Sequence, residues 1–204
     1  MAGEKPGIKG NVLSARAAYV RARAGEPAWR KVLARLPAPD QKTLTGTLLA
    51  VSWYPLELAL RLDEAIVAEF APGQGRQMFI DMGRASAETN LAGAERVFVR
   101  AGDPQHLLKY SPQIYGFYYQ VGRRTYERTA PNAGVVRTFD AESVTAADCL
   151  TVMGWHQRAL ELCGAIEVKV DHPVCRAESG DHCAYHFSWT GVLPGHRPPS
   201  KSGP

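Results

Sequence analysis

Three cysteines and one histidine in the last third of the sequence have the residue types of a zinc site. Cys175 follows His172 by three residues, Cys183 follows Cys175 by eight, and Cys149 precedes Cys175 by 26. Thiolate and imidazole groups suit Zn²⁺, and four protein ligands leave no open position for a substrate. This set therefore predicts a structural zinc site rather than a catalytic one.

Plain packing of buried thiols is the alternative interpretation. The spacing matches no short zinc motif such as paired Cys-x-x-Cys knuckles. Free cysteine is among the most buried residue types, and Cys149 and Cys163 both fall on the apolar side of a predicted helix. In a regular strand Cys175 would lie on the polar face, so the zinc site requires a β-bulge at His172-Pro173. Both interpretations stay open at this stage.

The elements that carry these residues follow from the pattern of the second half of the chain. Thr145 and Asp148 have the spacing of a capping box, which predicts one helix over 146–163. Apolar residues alternate over 166–170 and over 183–189, which predicts a β-hairpin. Two further strands are predicted at 123–128 and 134–139.

The first half is predicted to be helical. Asn11 is expected to cap a helix that ends near Arg23, and Glu26-Pro27 begins another that ends at Pro37. Further helices are predicted from Pro55 to Pro72-Gly73, around Phe79–Ala85, and over 104–121 with an interruption at Pro112. The fold class is therefore α+β, with a helical N-terminal half packed on a small antiparallel sheet, a long C-terminal helix and a final β-hairpin.

Composition limits the class of protein. The 204 residues suffice for one domain, predicted at 8–192, with residues 1–7 and 193–204 disordered. No apolar run approaches a membrane span and no signal peptide opens the chain, so a cytoplasmic protein with reduced thiols is expected. A net charge of +4, spread along the chain, does not indicate nucleic-acid binding.

The last third of the chain contains a series of cysteine, glycine and aromatic residues: Cys149, Gly154-Trp155, Leu162-Cys163-Gly164, Val170, Cys175, Gly180-Asp181, Cys183, Tyr185, Phe187 and Trp189. This series resembles the 4-vinyl-reductase domain and the sensor domains of bacterial phenol- and xylene-responsive activators. These share a fold with the haem nitric-oxide-binding domain and with core subunits of the vesicle-tethering complex TRAPP. The whole chain most resembles a set of paralogues from myxobacteria. The segments Lys9–Leu13, Gly25–Trp29 and Leu33–Pro37 are similar to the opening of the haem nitric-oxide group.

The resemblance implies ligands for the metal. The phenol sensors hold zinc with three cysteines and a carboxylate, and Cys149, Cys175 and Cys183 match those cysteines. His172 replaces the carboxylate, and histidine is also a good zinc ligand. Haem is expected to be absent, because the Tyr-x-Ser-x-Arg clamp of the haem group does not occur and only His106 could be proposed as an axial ligand.

The sequence bears on three classes of function: a ligand-binding module, an interaction scaffold and an enzyme. A non-enzymatic module that binds or senses a small hydrophobic molecule is expected, with Phe117, Tyr118 and Trp155 as candidate pocket residues, although a filled core could use the same residues. A homodimeric TRAPP-like interaction scaffold without a ligand is the alternative, and a haem-based gas sensor is a remote one. In either main case a homodimer and a protein partner are expected. An enzyme is not predicted, because the sequence has no Gly-x-Ser-x-Gly, P-loop or Gly-x-Gly-x-x-Gly motif.

Overall fold

A computed structural model describes residues 6–70, 75–141 and 145–193. The segments 1–5 and 194–204, predicted to be disordered, and the predicted helix stop at Pro72-Gly73 lie outside the described residues. Gly7, which was assigned to the disordered N-terminus, begins the first strand instead. None of the helices within the described ranges combines the length and the apolar character needed to cross a membrane.

Helices dominate the N-terminal half and strands the C-terminal half. The helices are α1 (Gly10–Ala34), α2 (Ala38–Thr45), α3 (Leu56–Phe70), α4 (Gly75–Leu91), α5 (Pro104–Lys109), α6 (Ser111–Tyr118) and α7 (Ala146–Leu162). The strands are β1 (Gly7–Lys9), β2 (Trp53–Pro55), β3 (Arg123–Ala130), β4 (Ala133–Phe139), β5 (Ala165–Ile166), β6 (Lys169–Val174), β7 (Cys183–Ser188) and β8 (Gly191–Val192). The predicted α+β fold class is confirmed.

The start of α1 differs from the sequence-based prediction. Asn11 does not cap this helix, because the helix begins at Gly10 and Lys9 is the capping residue, with no side-chain bond. The first two amides donate to backbone carbonyls of the loop between α2 and β2: Gly10 N–H to Ser52 and Asn11 N–H to Ala50. Because this loop pairs the first amides and the helix begins before Asn11, Asn11 lies inside the helix and not at its N-cap position. The predicted break between two helices appears as a kink at Gly25, where φ is 78°.

The main sheet is antiparallel in the order β3-β4-β7-β6. Strands β6 and β7 form the predicted final hairpin, and their register shifts between Asp171 and Val174. The predicted bulge at His172-Pro173 is thereby confirmed. Helix α7 packs against this sheet, with the His156 ring 5.3 Å from the ring of Phe187, and Thr145 caps it by accepting a hydrogen bond from Asp148 N–H at 3.2 Å.

Helices α4 and α7 cross with their backbones in contact. A Cβ atom on Gly83 would lie 2.0 Å from the Thr151 carbonyl oxygen, and one on Gly154 would lie 2.0 Å from the Ile80 carbonyl oxygen. Only residues without a side chain fit at this crossing. The two glycines therefore place α7 directly on the N-terminal helices, with the sheet on its other side.

Candidate metal centre and inner cavity

The structure brings together the four residues that the sequence predicted as metal ligands. Cys149 lies in the first turn of α7, His172 on β6, Cys175 directly after β6 and Cys183 at the start of β7. One ligand atom from each residue lies within 4.8 Å of all the others. We call these residues the Cys3His cluster.

The spacing of the sulfur atoms matches tetrahedral coordination. The Sγ atom of Cys149 lies 3.7 Å from that of Cys183 and 3.8 Å from that of Cys175. Four ligands at a Zn–S distance of about 2.3 Å place neighbouring sulfurs about 3.8 Å apart. Van der Waals contact between thiols gives a similar distance, so the sulfur spacing fits a metal without requiring one.

His172 adds an observation in favour of a metal. Its Nε2 atom is buried and makes no hydrogen bond of normal geometry among the described residues, although the ring lies close enough to Cys183 to lower the pKa of that thiol. The ring is held in place by stacking on Tyr185, with centroids 4.4 Å apart and planes 3° from parallel. A buried imidazole nitrogen without a partner is costly, and coordination of a metal would satisfy it.

The neighbouring thiols also change each other's protonation. The sulfurs of Cys149 and Cys183 share a hydrogen bond, which lowers the pKa of Cys183 and raises that of Cys149. The Cys183 thiol ionises readily, and the Cys149 thiol resists ionisation because two thiolates in a buried site repel each other. A bound divalent cation would remove this conflict, because it stabilises all three thiolates.

The loop between β6 and β7 closes tightly around Cys175. The N–H groups of Glu178 and Gly180 both donate to its carbonyl, at 3.0 and 2.8 Å. A Cβ atom on Gly180 would lie 2.8 Å from that same oxygen. Arg176 N–H also points at Cys183 Sγ, at 3.4 Å. The loop thus brings the two cysteines of the hairpin together through backbone contacts.

Cys163 stands apart from the cluster. It caps the C-terminal end of α7 and is completely buried. Burial raises the pKa of its thiol to about 12. This cysteine has the environment of a packed side chain, as the alternative interpretation of the sequence expected for it.

A cavity of about 50 Å³ lies between the N-terminal helices, α7 and β3. We call it the inner cavity. Its wall includes Val12, Arg16, Ile114, Tyr118, Arg124, Trp155 and His156. Two of the three predicted pocket residues, Tyr118 and Trp155, line it, with ring centroids 6.2 Å apart.

Phe117, the third predicted pocket residue, does not line the inner cavity. Its neighbour Tyr118 faces inward on α6, so Phe117 points away, is 43% exposed and lies in a surface groove beside Phe98. Adjacent helical residues lie about 100° apart around the axis, and on α6 this rotation turns Phe117 toward the surface while Tyr118 faces the cavity. His106 also lies in this groove, where its ring contacts that of Tyr110.

The polar lining of the inner cavity was missed by reasoning from the sequence. Arg16 could have been found, because it interrupts the apolar series of Val12 and Val20 at helical spacing and is only 5% exposed. His156 was assigned to the apolar stripe of α7 without a role. Arg124 stands beside another arginine at the start of β3, and nothing in that pattern indicates which one faces inward.

A smaller space of about 20 Å³ lies between the inner cavity and the Cys3His cluster. We call it the connecting space. Tyr115, Arg124 and Val152 line both it and the inner cavity. Cys183 and Tyr185 line its other side. A candidate metal ligand and the ring that stacks on His172 are therefore one layer of side chains away from the inner cavity.

Comparison with protein-family models and with curated proteins finds no match. Solved structures give a clear likeness of fold. An H-NOX protein from S. oneidensis in the Fe(II)NO ligation state has a TM-score of 0.71 at 12% identity, covering 90% of this chain and 100% of that one. The Fe(II) unliganded H-NOX protein from K. algicida gives 0.68 at 11% identity, covering 91% and 98%. The structure titled "Modulating Heme Redox Potential Through Protein-Induced Porphyrin Distortion" gives 0.65 at 10%, covering 91% and 97%.

The chain therefore has the fold of the haem nitric-oxide-binding proteins. This supports one part of the resemblance drawn from the sequence, whereas the 4-vinyl-reductase and TRAPP parts gain no support and stay predictions. Two of these structures hold Fe(II) and the third concerns a haem, which weighs against the prediction that haem is unlikely. At 10 to 12% identity, however, the likeness shows the fold alone.

The inner cavity does not fit a haem group. The inner cavity, at about 50 Å³, is smaller than the cavity of about 150 Å³ that holds a single benzene ring. His156 lines it, but both ring nitrogens are engaged, Nδ1 with the Val152 carbonyl at 2.9 Å and Nε2 with Arg124 at 3.4 Å. His106 lies in the surface groove instead.

Proposed function

We propose that this chain is a non-enzymatic sensing module in which a small molecule occupies the inner cavity and a structural zinc ion holds α7 to the final hairpin. The observation that carries the proposal is the convergence of four soft ligand atoms within 4.8 Å, with the Nε2 atom of His172 buried and without a hydrogen bond of normal geometry among the described residues. Three thiolates and one imidazole suit zinc better than they suit calcium or magnesium, which prefer oxygen ligands.

The metal's role is structural. Four protein ligands close a tetrahedral site, so none is left for a substrate or for an activated water. The ion would link the first turn of α7 to β6, to the loop and to β7. Without the ion, the hairpin would be held only by the backbone hydrogen bonds between β6 and β7 and by the stacking of His172 on Tyr185.

The connecting space supports a link between ligand and metal. Arg124 and Tyr115 face the inner cavity on one side and the space that Cys183 lines on the other. A ligand that displaced either side chain would press on the wall next to the metal. The readout of such a sensor would be the position of the hairpin, passed to a partner protein.

Assembly and location are part of the same proposal. Reduced thiols, which zinc requires, are maintained in the cytoplasm. Two exposed apolar residues, Val97 and Phe117, line the groove next to Phe98 and offer surface for a second copy or another protein.

Three measurements on the purified, untagged protein test the proposal. Elemental analysis should give about one zinc per chain, and chelation should lower the melting temperature. A thermal-shift screen of small, mainly apolar compounds should give at least one saturable increase. The mass in solution should be that of a dimer. Absence of metal would remove the zinc claim, and a screen without a hit would favour the ligand-free dimeric scaffold.

A haem-based sensor is the second candidate, because the fold is that of proteins whose structure titles name haem and Fe(II). Adding haemin to the reduced protein and recording the absorption spectrum tests it. A stoichiometric Soret band that is lost in a His106→Ala or His156→Ala variant would favour it over the proposal above. The small volume of the inner cavity predicts no such band.

A further inference from the structure

Two arginines line the inner cavity, and they have different partners. Arg16 Nε and Nη2 bind the two carboxylate oxygens of Asp63 at 2.9 and 3.3 Å, with both side chains buried. Arg124 Nε donates to Thr138 Oγ1 at 3.0 Å and Nη1 lies 3.4 Å from His156 Nε2. Within the described ranges no carboxylate forms an ion pair with Arg124.

The partners of Arg124 leave donors free. His156 Nδ1 lies against the Val152 carbonyl, so this nitrogen carries the proton and Nε2 accepts from the guanidinium. Burial lowers the pKa of His156 to about 3, which keeps the ring neutral. A guanidinium has five N–H groups, and two are used by Thr138 and His156. The face of the group also lies over the Tyr115 ring, 4.4 Å from its centroid.

Tyr118 contributes a second polar group to the same cavity. Its hydroxyl oxygen is buried and makes no hydrogen bond of normal geometry among the described residues, although the Asn90 side chain, which also lines the cavity, lies near enough to lower its pKa. Burial raises the pKa of this hydroxyl, so it keeps its proton. A hydroxyl without a partner in a buried site costs stability, and a bound acceptor would recover that cost.

The nearby acidic groups do not take the place of such an acceptor. Asp63 is held by Arg16. Asp148, which faces the connecting space, accepts from the Tyr119 hydroxyl at 3.3 Å and forms no ion pair with Arg124. The remaining wall combines apolar side chains, among them Val12, Ile114 and Trp155, with the uncharged polar side chains of Ser86, Asn90 and Thr151.

We propose that the inner cavity binds a short-chain carboxylate, with the carboxylate group on Arg124 and Tyr118 and the hydrocarbon part against Val12, Ile114 and Trp155. This inference rests on the proposed sensing function and names the ligand class of its cavity. A guanidinium accepts a carboxylate through paired, charge-assisted hydrogen bonds, which neutral ligands do not provide. The small volume favours ligands of the size of acetate or propionate.

Isothermal titration calorimetry of the full chain tests the assignment, with formate, acetate, propionate and butyrate as probes. Propionamide serves as the neutral isostere, and sodium chloride at equal ionic strength serves as the salt control. Propionate should bind to one site per chain, at least about tenfold more tightly than propionamide, because the charged hydrogen bonds are lost in the amide. Affinity should fall for butyrate if the cavity limits the chain length.

Two variants and a matched control locate the site. Arg124→Gln should weaken propionate about tenfold or more and remove the preference over propionamide, and Tyr118→Phe should weaken it about fivefold. Arg128→Gln, which changes an exposed arginine on the same strand, should leave the affinity unchanged. Melting curves of the unliganded variants show whether each one folds, and Tyr118→Phe keeps the test valid if Arg124→Gln does not.

The outcomes separate this inference from the proposed function. Equal binding of propionate and propionamide, or unchanged affinity in both variants, would overturn the carboxylate assignment while a sensing cavity stands. A hit with neutral compounds and no binding of any carboxylate would do the same. Failure of every compound, neutral or charged, would overturn both.

Discussion

The Cys3His cluster and the inner cavity share helix α7 but are built differently. Three of the four cluster residues lie within twelve positions of each other on one hairpin, and the fourth is in the first turn of the preceding helix. The inner cavity takes its wall from three helices of the N-terminal half, from α7 and from β3. The cluster, built mainly from one hairpin, depends on local backbone geometry. The inner cavity depends on how the N-terminal helices pack against α7 and β3.

The largest expected effect is on the cluster side. Cys175→Ser should abolish stoichiometric zinc binding and lower the melting temperature by about 10 °C or more, because the folding free energy supplied by the metal is lost. Elemental analysis and thermal unfolding measure both changes. Cys163→Ser is the matched control: it also buries a hydroxyl in place of a thiol, but it should keep the zinc. Equal losses of stability with no metal in either protein would favour thiol packing.

Next in size is a change on the cavity side. Arg16→Leu leaves the Asp63 carboxylate, which is 2% exposed, without its partner, and should destabilise the fold by about 3 to 5 kcal/mol. Chemical denaturation measures the loss. Adding Asp63→Leu should recover most of the stability, and the zinc content should match the wild type throughout. A loss of zinc in Arg16→Leu would contradict the separation of the two regions.

A smaller effect is expected from pH. Burial lowers the pKa of His156 to about 3, below the value of about 6.5 expected in the unfolded chain. Above pH 6.5 both states are neutral at this residue, and as the pH falls the unfolded state takes up the proton first. The His156 contribution to stability should therefore decrease by about 2 kcal/mol between pH 6.5 and pH 5. Part of that loss should be offset by Asp148, whose pKa burial raises to about 6, so that it binds a proton in the folded state over the same range. The denaturation curve measured at each pH gives this slope.

Acid also releases zinc from thiolates, so the pH series is best compared within the Cys175→Ser background. There, adding His156→Gln should flatten the slope between pH 6.5 and pH 5. An unchanged slope would assign the acid sensitivity to other groups.

The smallest effect concerns the N-terminal end of α7, where the candidate metal ligand Cys149 lies. Thr145→Ala removes the cap of α7 and should cost about 1 kcal/mol, with a modest weakening of zinc binding because Cys149 lies in the first turn. Competition with a zinc indicator measures the affinity. Thr43→Ala, which removes an exposed hydroxyl on α2, should change neither quantity measurably.

The difference between the two regions also explains what the sequence could predict. The bulge that brings Cys175 to the inner face followed from the conflict between residue alternation and Pro173, and the cap of α7 followed from Thr145. These are short-range rules. The cap assigned to Asn11 was wrong because loop carbonyls far along the chain satisfy the amides there.

Long-range packing accounts for the other differences. Phe117 and Tyr118 are adjacent aromatic residues in the sequence, and only the packing of α6 decides which of them faces the cavity. Arg123 and Arg124 pose the same problem on β3: Arg123 is 63% exposed, next to Asp140, while Arg124 reaches His156. Local patterns indicate that one residue of each pair points inward, but not which one.

The glycine crossing of α4 and α7 has a consequence for the range of ligands. Gly83 is itself part of the cavity wall, and the two helix backbones there are already at their closest approach. A larger residue at either glycine would force α4 and α7 apart. The size of the inner cavity therefore cannot be changed from that side without separating the two helices. For the proposed ligand, selectivity for size would then be set by other wall residues, such as Val12 and Ile114, which can be exchanged for larger or smaller residues. Relatives that keep both glycines but differ at these two positions should bind molecules of different length with the same chemical group.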